Sequence, residues 1–480
     1  MRNMKRNALF LGLLLSLTCV GGCDRGGEGS SVSSSSSEVG EVVCTLPDYD
    51  AKKDELSIHI GGWVVPSNLT DEQYQYMKDS DIDTYFFAYA GSPSYSFNLN
   101  DVTDQDKAVL AKMEEYGLNA ILHVGGKNAE TLTKVANVAQ YGAVKGVCFD
   151  EPDKSQIGEI KGYVDQFNQA ASGKTLFTNL YPSFAEDVQA SFTQYEDYLS
   201  YYCDNVLSKL TVGEKWLSAD RYPLTFDGKG NPTLDNGWLR DIEAVATKAR
   251  EYEDVKTNFF IQTMPYGGVD NPAGMSGSRA RVPSYEDVRL QEYTLMAFGY
   301  DMISAFCYGS PTIGLEFLED QQAMIDREGN RTQLYYDVSK ANNEIKAFDH
   351  VLKQFDWKGV FTNDAGKTST GKGRTQNASF SNLVNRMSIE SIDCLTEITT
   401  TQDTLFGYFV DAEDNTGFMV VNYNDSSLKL TDEVTMTFDA SYGFKKVLCY
   451  VGGEKQILDI TNNALTLTLG IGEGVYVIPY

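Results

Sequence analysis

The chain has 480 residues, 42% of them apolar and 22% charged, a balance ordinary for a soluble globular protein and a length too great for one ordinary core. Its 67 acidic against 40 basic side chains give a formal net charge of -27 at pH 7. Such a surface repels polyanions and speaks against a nucleic-acid partner, because that binding needs Lys and Arg to neutralise phosphates. Neutral ligands fit it better.

Residues 1–22 read as a leader. Arg2, Lys5 and Arg6 precede the apolar run "ALFLGLLLSLT", which is too short to span a bilayer permanently and has the make-up of a secretory signal. The run leads into Val20-Gly21-Gly22-Cys23, which resembles a bacterial lipobox. The resemblance implies lipidation of Cys23 and a place in the bacterial cell envelope, on the extracytoplasmic side, with the membrane as a partner through the anchor. Residues 23–55 include "DRGGEGSSVSSSSSEVGE" and are expected to be a Gly/Ser-rich tether, with folding starting near Leu56.

Eight β-rich apolar runs then alternate with amphipathic segments. They are residues 57–65, 84–90, 119–126, 144–151, 174–182, 216–223, 256–264 and 302–310. Their starts lie about 35 residues apart, a usual βα period. Between them, Ile157, Ile160, Val164 and Phe167 keep one helical face, and Val338, Ala341, Ile345, Phe348 and Leu352 continue such a stripe for four turns. Thr70 with Gln73 and Ser284 with Asp287 have the spacing of capping boxes. Strand and helix alternating in this way predict a (β/α)8 TIM barrel over residues 56–358. A doubly wound open sheet is the rival, but it usually carries G-x-G-x-x-G after its first strand, and this chain has none there. From 359 to 480 the pattern turns to short alternating strands such as "GYFVDA", "GFMVVNYN" and "KVLCYVGG", which predict a C-terminal antiparallel β-sandwich.

Barrel enzymes keep their chemistry at the C-terminal ends of the strands. Here those ends carry Trp63, Tyr89, His123, Asp150 with Glu151, Tyr181, Asp220 with Tyr222, Gln262 and Tyr308. Carboxylates among flat aromatic faces and amides suit a polyhydroxylated ring, whose C–H faces stack while its hydroxyls take directed hydrogen bonds. Duller roles compete: Asp150 before Pro152 is placed to cap the next helix, Trp63 to plug the barrel, and His123 and the tyrosines to be buried with satisfied polar groups. With only His59, His123 and His350, and no CxxC, no metal site, cofactor or disulfide framework is expected. Cys148 and Cys307 read as small core hydrophobes. Arg281 and Arg289 flank "VPSYEDV"; Arg289 is expected to form a helix-surface ion pair and Arg281 to bind a loop or a substrate hydroxyl.

The stretches "GGWVVPSNLTDEQY", "FDEP", "TNLYPSF", "LSADRYPL" and "RARVPSYEDVRLQEYTLMAFGYDMISAFCY", in this order, resemble barrel glycoside hydrolases related to bacterial β-galactosidases. The resemblance implies a glycosidase of exported or environmental glycans. In that group the fourth strand ends in Asn-Glu with Glu as general acid/base, which by position puts Glu151 in that role and Asp150 in place of the Asn. The group's nucleophile is a Glu ending the seventh strand, where this chain has Gln262. Asp-Glu at a strand end also resembles exo-acting β-N-acetylhexosaminidases, in which the substrate's acetamido oxygen is the nucleophile, the Asp orients it and the Glu protonates the leaving oxygen. Asp220, or Glu316 in the loop after the eighth strand, would otherwise supply the second carboxylate. The alternative to a hydrolase is a lipid-anchored glycan-binding protein on a barrel scaffold.

Overall fold

Each apolar run folds as a strand because β-branched and aromatic residues pack well on a pleated surface, and each following helix returns the chain to the same end of the sheet. A computed structural model describes residues 46–480 except 89–94, 125–128, 172, 228, 268–279, 314–316 and 371–378. Eight parallel strands pair side by side and close into a barrel. They are β1 (His59–Trp63), β2 (Thr84–Phe87), β3 (Asn119–His123), β4 (Val144–Asp150), β5 (Thr175–Leu180), β6 (Lys215–Asp220), β7 (Val255–Gln262) and β8 (Met302–Phe306). All eight overlap the runs expected from sequence, with β6 and β7 starting one residue earlier and β1 two residues later.

Alternation along each strand sends every second side chain into the barrel. Trp63, Phe86, Ile121, Cys148, Phe177, Trp216, Phe260 and Met302 make a buried cluster there, distinct from the larger core between strands and helices. Close packing sets the residue types: a Cβ on Gly61 of β1 would lie 2.3 Å from Ser304 Oγ of β8. The five cysteines among the described residues are free and buried, Cys148 and Cys307 among them.

Helix ends follow their signals in part. Ser284 and Asp287 form the full capping box of the helix Tyr285–Ala297. Thr70 accepts from the Gln73 backbone, but the Gln73 side chain turns away to the Gly329 carbonyl. The apolar stripe after residue 333 is carried by two helices, Gln333–Lys346 and Asp349–Leu352, rather than one.

The sandwich begins at Phe355, four residues before the expected boundary, because Phe355–Asn363 is already an edge strand of its larger sheet. Six antiparallel strands form that sheet and four form the other, with Phe361, Phe406, Phe418, Val434, Leu467 and Val477 in the core between them. The larger sheet's other face packs on the helix Tyr285–Ala297, which is therefore buried on every side rather than along one stripe. Gly407 permits that approach, since a Cβ there would lie 2.2 Å from the Ala297 carbonyl.

The expected tether is ordered at its end. Tyr49 is buried, its hydroxyl donates to Asp411 at 2.7 Å and its ring lies 5.2 Å from Phe355, while Asp50 pairs with His350 and Lys455. Folded structure thus starts before Leu56: one aromatic ring finds a place against the sandwich, which a Gly/Ser-rich composition does not announce. Cys23 lies outside the described residues.

Arg289 is no surface pair. It is 8% exposed, its Nη2 lies 2.6 Å from Glu473 and its Nε 3.1 Å from Glu344, because the sandwich covers the helix face that carries it. Arg281 binds Asp287 at 2.5 Å and Asp425 at 3.0 Å. Both arginines join barrel to sandwich.

Candidate active site

Three adjacent strands end in polar side chains that alternation turns inward: Asp150 on β4, Asn179 on β5 and Asp220 on β6. Register places Asn179 opposite Asp150. Asn179 Nδ2 donates to Asp150 Oδ1 at 3.4 Å and to Asp220 Oδ1 at 3.1 Å. The two acceptor oxygens can be no further apart than those bonds laid end to end, about 6.5 Å. Asn179 is itself fixed from below: its Oδ1 accepts from Ser218 Oγ at 3.1 Å, Ser218 accepts from Asn258 Nδ2 at 2.9 Å, and Asn258 accepts from Ser304 Oγ at 2.7 Å. This polar chain crosses four neighbouring strands under the mouth and leaves the amide one orientation.

Asp150 reaches solvent at the base of the mouth, but barrel walls enclose it on its other sides. That enclosure raises its pKa, against the Asn179 hydrogen bond. Asp220 is 8% exposed and is raised further, first by burial and then by the charge of Asp150, against hydrogen bonds from Asn179 and Tyr222. One carboxyl therefore keeps a proton close to neutral pH while its neighbour ionises more readily.

Glu151 follows with φ at +44°, left-handed backbone that a non-glycine residue adopts at a cost, and its N–H donates to the Asn179 carbonyl at 2.8 Å. Its charge lies near the Tyr181 phenol, whose pKa rises first through burial and next through Glu151. Val64, directly after Trp63, has φ at +65° and is β-branched. Strained backbone thus follows the last residue of two mouth strands. Asp150 does not cap the next helix: Asp153 does, in a capping box with Gln156.

Aromatic rings wall the mouth. Tyr222 stacks on Phe306 with centroids 4.9 Å apart and planes at 27°, and Tyr266 meets Tyr222 edge-on at 5.3 Å. Trp63 is buried against Phe86 and Phe260, with His123 edge-on at 6.3 Å. Burial lowers the His123 pKa and keeps its ring neutral. Among the described residues no group of three or more His, Cys, Asp and Glu is placed to hold a metal.

The strand-end residues expected from sequence therefore divide. Asp150, Glu151, Tyr181, Asp220, Tyr222, Trp63 and His123 lie at or just beneath one mouth. Gln262 does not line it: the side chain is fully buried, its Oε1 accepts from the Leu224 N–H and its Nε2 donates to the Met264 and Arg281 carbonyls, so it clamps the loops above β7. Tyr308 is also buried elsewhere, with its ring edge-on to Tyr85 at 5.0 Å in the layer between strands and helices. Tyr89 and Glu316 lie outside the described residues. Asn179, Ser218, Asn258, Tyr266 and Phe306 were not foreseen; the spacing of Asn179 from Phe177, and of Ser218 from Asp220, carried the signal.

The fold defines a class, a (β/α)8 barrel followed by a β-sandwich. No family model and no curated protein matches the chain. Solved structures do match. One is a β-galactosidase from the psychrophilic Marinomonas ef1, 11% identical with a TM-score of 0.36, where the match covers 62% of this chain and 60% of that one. Another is a GH27 β-L-arabinopyranosidase from Geobacillus stearothermophilus, 10% identical with a TM-score of 0.46, covering 88% of this chain and 96% of its own. An Anoxybacillus α-amylase is 10% identical with a TM-score of 0.45 over 88% of this chain and 98% of its own. No residue correspondence is taken from them.

Proposed function

We propose that the protein is a glycoside hydrolase in which Asp150 and Asp220 are the working carboxyl pair. The observation that carries this reading is the single Asn179 amide bonded to both, at the ends of alternate barrel strands and under an aromatic wall. Asp220, the more deeply buried and the more strongly raised, keeps the proton and acts as general acid on the leaving oxygen. Asp150, open to the mouth, is the carboxylate that meets the anomeric carbon or its water. Retaining enzymes hold the two groups about 5–5.5 Å apart and inverting ones about 6.5–9.5 Å, so a separation of at most about 6.5 Å between the bonded oxygens favours retention. Glu151 stands beside Tyr181 as a third carboxylate, the acid of the assignment made from sequence.

Neutral glycans are the substrate class, since the chain carries a formal charge of -27. We also propose that Cys23 is lipidated and holds the enzyme on the extracytoplasmic face of the cell envelope. Cys23→Ala should then release the protein from the membrane fraction; unchanged fractionation refutes the anchor.

A panel of aryl glycosides tests the main reading. Asp150→Asn and Asp220→Asn should each lower turnover on the order of 10² or more, with smaller losses in Asp220→Asn for activated leaving groups. A comparable loss in Glu151→Gln with Asp220→Asn unimpaired would move the acid role to Glu151. Binding of glycans without hydrolysis of any would make the protein a glycan-binding barrel.

A further inference from the structure

Phe184 lies on the loop after β5, five residues beyond Asn179, and is 47% exposed. Leaving an aromatic face in water is unfavourable, and a free loop would fold it inward. Here the backing is rigid. The Arg221 guanidinium lies 5.0 Å from the ring centroid, and Arg221 directly follows Asp220. Its Nε binds Asp235 at 2.6 Å, and its Nη1 binds Asp241 at 3.2 Å and Ser183 Oγ at 3.0 Å. Asp241 is fully buried and also accepts from the Ser183 N–H at 3.0 Å. Gly237 completes the seat, since a Cβ there would come within 1.9 Å of the guanidinium. The loops after β5 and β6 are thereby locked together, and the ring they present is one arginine side chain from the backbone of Asp220.

We propose that Phe184, seated on Arg221, is a sugar-binding platform that stacks a pyranose unit beyond the one acted on by Asp150 and Asp220. The inference rests on the glycosidase reading for its ligand. One face of the ring is taken by the guanidinium, and the exposed remainder offers the apolar surface that the C–H face of a sugar ring covers. Arg221 acts here as a positioning residue, because its Nε and Nη1 are committed to Asp235, Asp241 and Ser183.

The test uses the full protein with cellohexaose, xylohexaose, mannohexaose and chitohexaose as probes, their affinities read by calorimetry, and aryl monoglycosides as short substrates. Phe184→Ala should weaken binding of the preferred hexasaccharide roughly tenfold, the scale of one aromatic stacking contact. Turnover of aryl monoglycosides should stay at the wild-type level, and Phe184→Trp should restore the affinity. Wild-type affinity in a folded Phe184→Ala protein, or no binding of any of the four by the wild type, overturns the platform. The glycosidase reading is judged separately by Asp220→Asn on aryl monoglycosides, which Phe184 does not touch, so the two can fail independently.

Discussion

Arg289, on the barrel helix that follows β7, places Nη2 2.6 Å from Glu473, in the turn before the last sandwich strand. The same guanidinium lies 3.1 Å from Glu344, and both acids are largely buried. Burial and the neighbouring Glu473 charge push the Glu344 carboxyl up to about 7, so this cluster depends on its arginine. Arg289→Met leaves two carboxyls without their cation and should cost about 3 kcal/mol in chemical denaturation. Adding Glu473→Gln should recover part of that loss, and a double-mutant cycle showing no coupling would remove the pair from the account of how barrel and sandwich are joined.

The carboxyl pair makes stability and activity oppose each other. Burial raises Asp150 to about 6 and Asp220 to about 7, so each binds its proton more tightly folded than unfolded. Their contribution to folding is then complete below the ordinary carboxylate range and is lost as pH rises through the folded-state values, from about 4 to about 7. Asp220→Asn should therefore melt higher than wild type at about pH 8 and lose that advantage at about pH 4. Activity should fall above about 7 as Asp220 loses its proton, and Asp150→Asn should shift the same group downward by removing the neighbouring charge. Melting temperatures that track each other at all pH values would contradict the raised values.

Asn179 carries the geometry of the pair. Asn179→Ala removes the shared donor and strands the hydroxyl of Ser218, with an expected loss of turnover on the order of 10² and a smaller effect on KM. A variant that folds normally and keeps wild-type turnover would dissociate the amide from the chemistry.

Glu292 is fully buried on the helix Tyr285–Ala297, neither of its carboxyl oxygens has a hydrogen-bond partner among the described residues, and burial raises its pKa well above the ordinary value despite Arg289. By the same linkage its stabilising share is present at low pH and lost as pH rises. Glu292→Gln should flatten the stability profile above about pH 5 and raise the melting temperature there by a few degrees. Parallel wild-type and variant profiles would count against a titrating Glu292.

Tyr49 ties the segment before β1 to the sandwich. Proteins starting at residue 46 should melt like the full chain, while a start at Leu56 should lose about 3 kcal/mol, the usual cost of removing a buried aromatic ring. Equal melting temperatures would return residues 46–55 to the tether.

Strand periodicity was legible without the fold, because alternation and β propensity are local properties. Eight runs at regular spacing are enough to predict a closed barrel, and Asp150 and Asp220 at strand ends follow from counting along them. Side-chain destinations were less legible. Gln262 ends β7 and Tyr308 lies two residues beyond β8, yet one is committed to loop carbonyls and the other packs in the layer between strands and helices. Asp150 before Pro152 has the local sequence of a helix cap, yet Asp153 takes that place.

What the amino-acid sequence determined by itself is the order of elements, the acidic surface and the supply of carboxyl and aromatic groups at the barrel mouth, all of which depend on residues near one another in the chain. Tertiary structure alone decided which of those groups meet. Asn179 reaches Asp150 and Asp220 across 29 and 41 residues, and Arg289 reaches Glu473 across 184. Such contacts are set by strand register, barrel closure and the burial of one whole helix under a sheet, and register is a property of paired strands that no single segment contains.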